Sequence, residues 1–233
     1  MALFSVRLMG SGSRSLVKGL QLRSCIEDIT KFILNSYINQ TLNNDFGVQR
    51  HICSSVLESS EYKDMALTLY DFVSDGVCPS SFKLNSDENK SFLDFFESIK
   101  LHLHVQEPYF SQLQGMKTIE GRCATPSYCA IQSGDFILFN NCLLFQVQGV
   151  RQYESFYEML KSEELQRVVP GARDVEEGVG VYRKFYSEEK EMSCGVLAIH
   201  VSKSAWQPYL YLAPILSGLL HKKSTLPILN NLS

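Results

Sequence analysis

The sequence predicts an α+β protein in which an N-terminal helical bundle packs on a β-rich domain with flanking helices. Apolar residues recur at helical spacing before residue 100, and short apolar runs bounded by turn residues follow it. With 233 residues, 45% of them hydrophobic, the chain is long enough to bury a core. We expect four parts: a leader at 1–21, a helical region at 22–100, a β-rich domain at 101–204 and a partly helical tail at 205–233.

The leader is rich in Ser, Arg and Gly, and residues 1–24 contain four cations and no acid. This composition is typical of a transit peptide for mitochondria or plastids. The basic and apolar residues do not separate onto helical faces, however, which favours a disordered leader. We therefore expect the protein in the cytoplasm or nucleus, with mitochondria or plastids, reached through residues 1–20, as the alternative.

The helical region is predicted to contain four amphipathic helices. Ser24 and Glu27 have the spacing of a capping box, so the first helix should begin near residue 25. The expected ranges are about 25–42, 48–58, 61–73 and 87–100. Phe92, Phe95 and Phe96 in the last helix are expected to be core residues rather than a platform for base stacking.

The β-rich domain is predicted from turn residues between apolar runs. Asn140-Asn141 can make the tight turn of a hairpin between strands 136–139 and 143–150. Three helices should follow, beginning near Tyr153, Ser162 and Asp174, and the third has an apolar stripe at helical spacing (Val175, Val179, Tyr182, Tyr186). A strand at 195–201 closes the domain, and the tail helix is expected to break at Pro208 and Pro214.

One stretch carries the candidate site, Gly115–Arg122, which reads GMKTIEGR. A short helical turn at 107–110 precedes it. In a strand, Thr118, Glu120 and Arg122 share one face, and Lys117 meets Glu120 only if the backbone turns near Gly115 or Gly121. A bland alternative is that Glu120 and Arg122 form a salt bridge that only stabilises the sheet.

The ungapped pattern Gly-x-Lys-x-x-Glu-x-Arg in this stretch, followed by Ser133-Gly134-Asp135 and the strands above, resembles the ASCH family. The resemblance covers about residues 101–204 and implies a PUA-like β-barrel associated with RNA. A helical N-terminal extension before this domain is similar to a group of plant ASCH proteins. The expected partner is therefore single-stranded RNA or a small modified nucleoside.

For binding, we expect Lys117 and Arg122 to contact phosphates or base edges and Glu120 to accept from an exocyclic amine. Thr118 belongs to the same nucleic-acid-binding set, with Tyr109 or Tyr128 as stacking partners. Residues 101–204 hold ten Lys/Arg against thirteen Asp/Glu. This excludes a large phosphate-tracking surface and leaves a local cleft.

An amide hydrolase is the first alternative. In the amidohydrolase members of the ASCH family, a lysine, a threonine and a glutamate remove the acetyl group of N4-acetylcytidine, and Lys117 matches the lysine. Glu120 stands where those enzymes have the threonine, and we expect it to raise the pKa of Lys117 by charge pairing. The third group stays open among Glu163, Glu164, Glu176 and Glu177. The resemblance therefore implies at most weak catalysis by Lys117 and Glu120.

A second alternative is an interaction scaffold, in which the helical region binds a protein partner. No cofactor or metal is expected: the seven cysteines are scattered, as in an intracellular protein with free thiols. His102 and His104 share a strand face, but two ligands alone do not indicate a metal site. No run of about 18 apolar residues predicts a transmembrane helix.

Overall fold

The computed structural model of the chain describes residues 14–41, 47–75, 92–94 and 96–225. In chain order the helices are α1 (Arg14–Ile38), α2 (Arg50–Glu58), α3 (Tyr62–Asp75), α4 (Tyr109–Gln112), α5 (Pro126–Cys129), α6 (Phe156–Ser162), α7 (Leu165–Val168), α8 (Val175–Arg183), α9 (Glu188–Cys194) and α10 (Pro208–Thr225). The strands are β1 (Ile99–Leu103), β2 (Ile119–Cys123), β3 (Phe136–Phe139), β4 (Leu143–Tyr153) and β5 (Val196–Lys203). This mixture confirms the predicted α+β class.

The described residues form two compact units. One is helical and contains 14–41, 47–75, 92–94, 96–98, 141–143 and 206–225. The other contains the strands, at 99–140 and 144–205. Residues 1–13, most of the predicted leader, lie outside the described part, as do 76–91 and Phe95 of the predicted fourth helix. None of the described helices is long and apolar enough to cross a membrane.

In the helical unit, α1 is amphipathic as expected: Ile26, Ile29 and Ile33, which recur at helical spacing, are fully inaccessible to solvent. The capping box at Ser24 is wrong, because α1 begins ten residues earlier and Ser24 lies exposed within it. Serine disfavours a helix interior by only a few tenths of a kcal/mol, about 0.5 at most, so no break is forced there.

The end of the chain also differs from the prediction. Pro208 is the first residue of α10, and Pro214 lies inside this helix without ending it. Apolar side chains on both sides of Pro214 are buried, among them Leu212 and Leu216. Their packing stabilises the helix across the proline, which on its own costs about 3 kcal/mol.

The strand unit contains a five-stranded mixed sheet in the order β1-β3-β4-β5-β2. β1 pairs with β3 in parallel, and β5 pairs antiparallel with both β4 and β2. In the described part of the chain the two edge strands, β1 and β2, do not pair, so the sheet is not a closed barrel, which corrects the prediction. A side chain joins the edges instead: Arg122 Nη2 of β2 donates to the carbonyl of His104, just after β1, at 2.8 Å.

The turns and N-cap residues explain where the other strands and helices of the strand unit begin and end. Asn140 and Asn141 have φ of 46° and 59°, as the predicted hairpin turn requires. The helices α6, α8 and α9 each begin after an N-cap side chain that accepts a hydrogen bond from a backbone N–H of the first turn. These N-cap residues are Ser155, Asp174 and Ser187. Of the predicted stripe, Val175, Val179 and Tyr182 lie in α8, whereas Tyr186 lies in the connection between α8 and α9.

Candidate functional site

The motif residues lie at the start of the edge strand β2. All five residues of β2 are buried, and Lys117 precedes the strand. A turn at 113–116, in which the Lys117 N–H donates to the Gln112 carbonyl at 3.0 Å, directs the chain into the strand. This turn is the condition for Lys117 to meet Glu120.

Glu120 lies between two cations. Its Oε2 is 3.0 Å from Lys117 Nζ, and its Oε1 is 2.8 Å from Arg122 Nη2. All three side chains are buried, with 3%, 6% and 6% of Lys117, Glu120 and Arg122 exposed. A buried group of one anion and two cations carries a net charge of +1, so it favours an electron-rich ligand.

The ammonium group of Lys117 is fully committed within the protein. It donates to the carbonyls of Ile119 at 2.9 Å and Val168 at 2.6 Å, besides its contact with Glu120. An ammonium has three N–H donors, so these three acceptors use all of them. Lys117 therefore orients Glu120 and fastens α7 to β2.

The charges of this group depend on burial. Burial lowers the pKa of Lys117, and the attraction of Glu120 offsets this only in part. Glu120 raises the pKa of Lys117 as expected, but the loss of hydration outweighs this contribution, so the net shift is downward. Burial also raises the pKa of Glu120, but Lys117 and Arg122 outweigh it and hold that pKa below its usual value.

The guanidinium of Arg122 has a buried donor, Nε, that its contacts with the described residues do not use. Its Nη2 is used by Glu120 and by the His104 carbonyl, and Tyr186 makes a further side-chain hydrogen bond with the guanidinium. Its buried Nε has no hydrogen-bond partner among the described residues. The guanidinium also lies 6.0 Å from the ring centre of Tyr128. A buried N–H without an acceptor is costly, and a ligand oxygen or ring nitrogen would satisfy it.

A cavity of about 60 Å³ opens beside this group. A single water needs roughly 10–15 Å³ of such space, so the cavity holds about four to six water-sized groups, close to one six-membered ring. Its polar wall is Lys117, Glu120, Arg122 and the segment His104–Gln106; its apolar and aromatic wall is Tyr109, Val168, Val169, Val181, Tyr182, Phe185 and Tyr186. Gly121 lies between these two walls.

Gly121 is required by the packing of Tyr182. A Cβ atom at Gly121 would lie 2.4 Å from the Tyr182 hydroxyl oxygen and 2.8 Å from Met159 Cε. Tyr182 cannot move aside easily, because its ring stacks on Phe156 with centroids 4.1 Å apart and an interplanar angle of 10°. The second glycine of the motif thus lets an aromatic wall approach the strand backbone.

Of the predicted site residues, the structure brings Lys117, Glu120, Arg122 and Tyr109 together around the cavity. Thr118 lies to one side, where its hydroxyl accepts from Arg167 Nε at 2.8 Å. Phe185 was not predicted as a wall residue, and the stripe of Tyr182 and Tyr186 indicated only a helix face. Their four-residue spacing is visible in the sequence, but the strand that they face is not.

The four glutamates considered for catalysis are also placed. Glu163 is buried, whereas Glu164, Glu176 and Glu177 are exposed. Glu163 Oε1 accepts from Tyr153 at 2.8 Å and lies 3.0 Å from His200 Nε2. Burial raises the pKa of Glu163, but the hydrogen bonds from Tyr153 and His200 outweigh it and lower that pKa. This carboxylate therefore belongs to a separate polar cluster, outside the residues that line the cavity.

Metal binding has no support in the described ranges, where no three His, Cys, Asp or Glu side chains are placed to hold an ion. Of His102 and His104, the second lines the cavity and gives its carbonyl to Arg122.

Comparison with known proteins identifies the strand unit. Residues 103–205 match the family model of the ASCH domain. Hypothetical protein PH0355, known from a crystal structure, is 42% identical over 45% of this chain and 98% of its own, with a TM-score of 0.44. A protein from Pyrococcus furiosus with a solution NMR structure is 39% identical over 46% of this chain and 98% of its own, with a TM-score of 0.41. No curated protein matches the chain.

Proposed function

Because the chain belongs to the ASCH domain family, whose members are generally associated with RNA, we propose that it binds single-stranded RNA or a nucleoside in the cavity beside β2. The unsatisfied Nε of Arg122, next to the Glu120 carboxylate, carries this proposal. An N–H donor beside an anionic acceptor matches the edge of an unpaired base, which presents ring nitrogens or carbonyls beside amino groups.

The aromatic wall supports a planar ligand. Tyr109 and Tyr186 are partly exposed and Phe185 is 37% exposed, and all three line the cavity. Stacking of a base on such a side chain contributes roughly 1–3 kcal/mol without regard to base identity. The aromatic wall would therefore supply affinity for any base, and Glu120 and Arg122 would select among bases by hydrogen bonding to the base edge.

Phosphate contacts belong at the rim rather than in the cavity. Lys117 has no donor left for a phosphate, as its three N–H groups are used. Arg167 and Lys184 are exposed and are the chain neighbours of the cavity residues Val168 and Phe185. In this proposal Lys117 positions Glu120, and Arg167 and Lys184 attract the backbone. Few contacts of this kind give modest, salt-sensitive affinity.

The test is fluorescence anisotropy of a labelled single-stranded RNA titrated with the parent and with Arg122→Lys, which keeps the charge and removes the Nε donor. We expect a loss of about tenfold or more, since one hydrogen bond to a charged group is worth roughly 1.5–3 kcal/mol. Arg173→Ala is the control, because Arg173 is exposed and outside the cavity. Equal affinity of folded Arg122→Lys and parent would contradict the proposed site.

The salt dependence of RNA affinity distinguishes the contribution of the rim residues from that of the cavity residues. Arg167→Ala should reduce the slope of log affinity against log salt by about 0.7 if it meets one phosphate of a single strand. Tyr109→Leu should lower affinity without changing that slope. An unchanged slope in Arg167→Ala would contradict the proposed phosphate contact at the rim but not the proposed binding in the cavity.

Hydrolysis of N4-acetylcytidine is a second candidate, because burial lowers the pKa of Lys117 and so favours its free amine. Against it, the Lys117 nitrogen is held by two carbonyls and Glu120, and Glu163 lies in another cluster. The check is acetate release from the acetylated nucleoside by the parent and by Lys117→Ala and Glu120→Thr. We expect weak or absent turnover by the parent. Robust turnover that is lost in Lys117→Ala would make the protein a hydrolase.

A further inference from the structure

We propose that Cys123 and Cys194 are a peroxide-sensitive thiol pair that forms a reversible disulfide between β2 and the end of α9. Cys123 is the last residue of β2 and directly follows Arg122, and Cys194 is the last residue of α9. Neither thiol takes part in the proposed RNA binding, so this inference stands independently of it.

The backbone brings the two thiols together. Cys123 is the register partner of Val196 in the antiparallel pair of β2 and β5, and the next N–H, of Ala124, donates to the Gly195 carbonyl at 3.0 Å. Gly195 adopts φ of +71°, which returns the end of α9 towards β2. The thiols of Cys123 and Cys194 then share a side-chain hydrogen bond within one packed cluster.

The two cysteines differ in access. Cys123 is fully buried, whereas Cys194 is partly exposed and its Sγ donates to the Lys190 carbonyl at 3.0 Å. Burial raises the pKa of the Cys123 thiol to about 12, and the neighbouring Cys194 thiol adds to this. Because Cys194 is the more accessible of the two thiols, peroxide oxidises Cys194 first. Cys123 is then the resolving thiol, which reacts with the oxidised Cys194 to form the disulfide.

The reaction balances with one hydroperoxide as the oxidant. The sulfur of Cys194 attacks the peroxide, the O–O bond breaks, and an alcohol or water leaves with the thiol proton, which gives a sulfenic acid on Cys194. The sulfur of Cys123 then attacks the sulfenic sulfur; the S–S bond forms, and water leaves with the Cys123 proton. Two thiols are oxidised and one peroxide is reduced.

The test treats the full chain with hydrogen peroxide, blocks the remaining thiols by alkylation and maps the peptides by mass spectrometry. We expect a linked peptide pair containing Cys123 and Cys194 that disappears after treatment with dithiothreitol. Cys194→Ser, which replaces a partly exposed group, should abolish the link and leave Cys123 open to alkylation after unfolding.

Cys129→Ser is the matched control, because Cys129 is exposed and lies near Cys123 along the chain. The Cys123–Cys194 link should form in this variant as in the parent. Oxidation of Cys194 to the sulfinic acid without a link, or linkage of Cys129 in place of Cys194, would overturn the proposal.

Discussion

The hydroxyl oxygen of Tyr182 lies where the first side-chain atom of any other residue at position 121 would have to be, 2.4 Å from a Cβ built on Gly121. The position of Tyr182 therefore requires glycine at position 121, and the absence of a side chain at Gly121 allows Tyr182 to lie there. The tyrosine ring is held by its stack on Phe156, so the clash cannot be relieved by a small rotation.

Gly121→Ala is expected to destabilise the protein by about 2 kcal/mol, as overpacking of a buried contact does. Gly180→Ala is the matched control. Gly180 lies in α8, and apart from its chain neighbours and the backbone of its own helix no described atom lies within 4 Å of the place that a Cβ would take there, so alanine should stabilise by up to about 1 kcal/mol. The measurement is urea unfolding followed by circular dichroism. Equal effects of the two substitutions on the free energy of unfolding would mean that Tyr182 can move away from the new Cβ atom.

Glu120 is expected to titrate below pH 4.5. Burial opposes ionisation, but Lys117 and Arg122 hold its pKa below the usual 4.5. Because the folded pKa is below the unfolded one, the resulting stability is complete above pH 4.5 and is lost as the pH falls through the folded pKa, at about 1.4 kcal/mol per unit of pKa difference.

The measurement is a carbon-13 NMR titration of the Glu120 carboxyl group. Glu120→Gln supplies a check, since its deficit in unfolding free energy should shrink as acid protonates the parent. A deficit that stays constant from pH 7 to pH 3 would show that the charge of Glu120 is not what the network stabilises.

Glu191 connects α9 to the start of α6. One of its carboxylate oxygens accepts from the N–H of Phe156, and the other pairs with Arg183. Glu191→Ala would leave a buried N–H without an acceptor, and we expect a loss of about 2–3 kcal/mol. Glu191→Gln keeps an acceptor and should lose about 1 kcal/mol.

Glu188→Gln is the control for the Arg183 pairs, because Glu188 is 74% exposed and 3.7 Å from Arg183, so less than about 0.5 kcal/mol should be lost. Chemical denaturation ranks the three variants. Should Glu191→Ala be as mild as Glu188→Gln, the buried contact with Phe156 contributes little.

The strand unit is expected to fold alone. Its described core is internal to 99–140 and 144–205, so residues 99–205 should form a domain with one cooperative thermal transition. Limited proteolysis of the full chain should yield a stable fragment that starts near residue 100. A chain that loses both units in a single transition and resists cutting there would contradict this.

The sequence predicted β2, β3, β4, β5 and the start of α8 because their patterns are local, whereas β1 begins at Ile99, inside the helix expected at 87–100. Short apolar runs, the Asn140-Asn141 turn and the stripe beginning at Val175 each need only a few neighbours to be recognised. The face shared by Glu120 and Arg122 also followed from the two-residue period of a strand, and the two side chains do pair.

The rest of the site depends on residues far apart in the chain. One hydrogen-bond acceptor of the Lys117 ammonium is the carbonyl of Val168. Every residue type has a backbone carbonyl, so the sequence cannot indicate this contact. The net downward shift of the Lys117 pKa has the same origin, since the burial that outweighs the effect of Glu120 comes from the packing of distant elements. At Ser24 the difference is local: Ser24 and Glu27 match a capping box, but no helix-ending residue directly precedes them, and α1 runs through Ser24.

The position of β2 at the edge of the sheet has a consequence for self-association. An edge strand offers backbone groups that can pair with a strand of another molecule. In β2, the Ile119 carbonyl is taken by the ammonium of Lys117, and the Gly121 N–H by the hydroxyl of Tyr182. The side chains of the candidate site thus block intermolecular strand pairing, and replacing Lys117 should expose an aggregation-prone edge even where the domain remains folded.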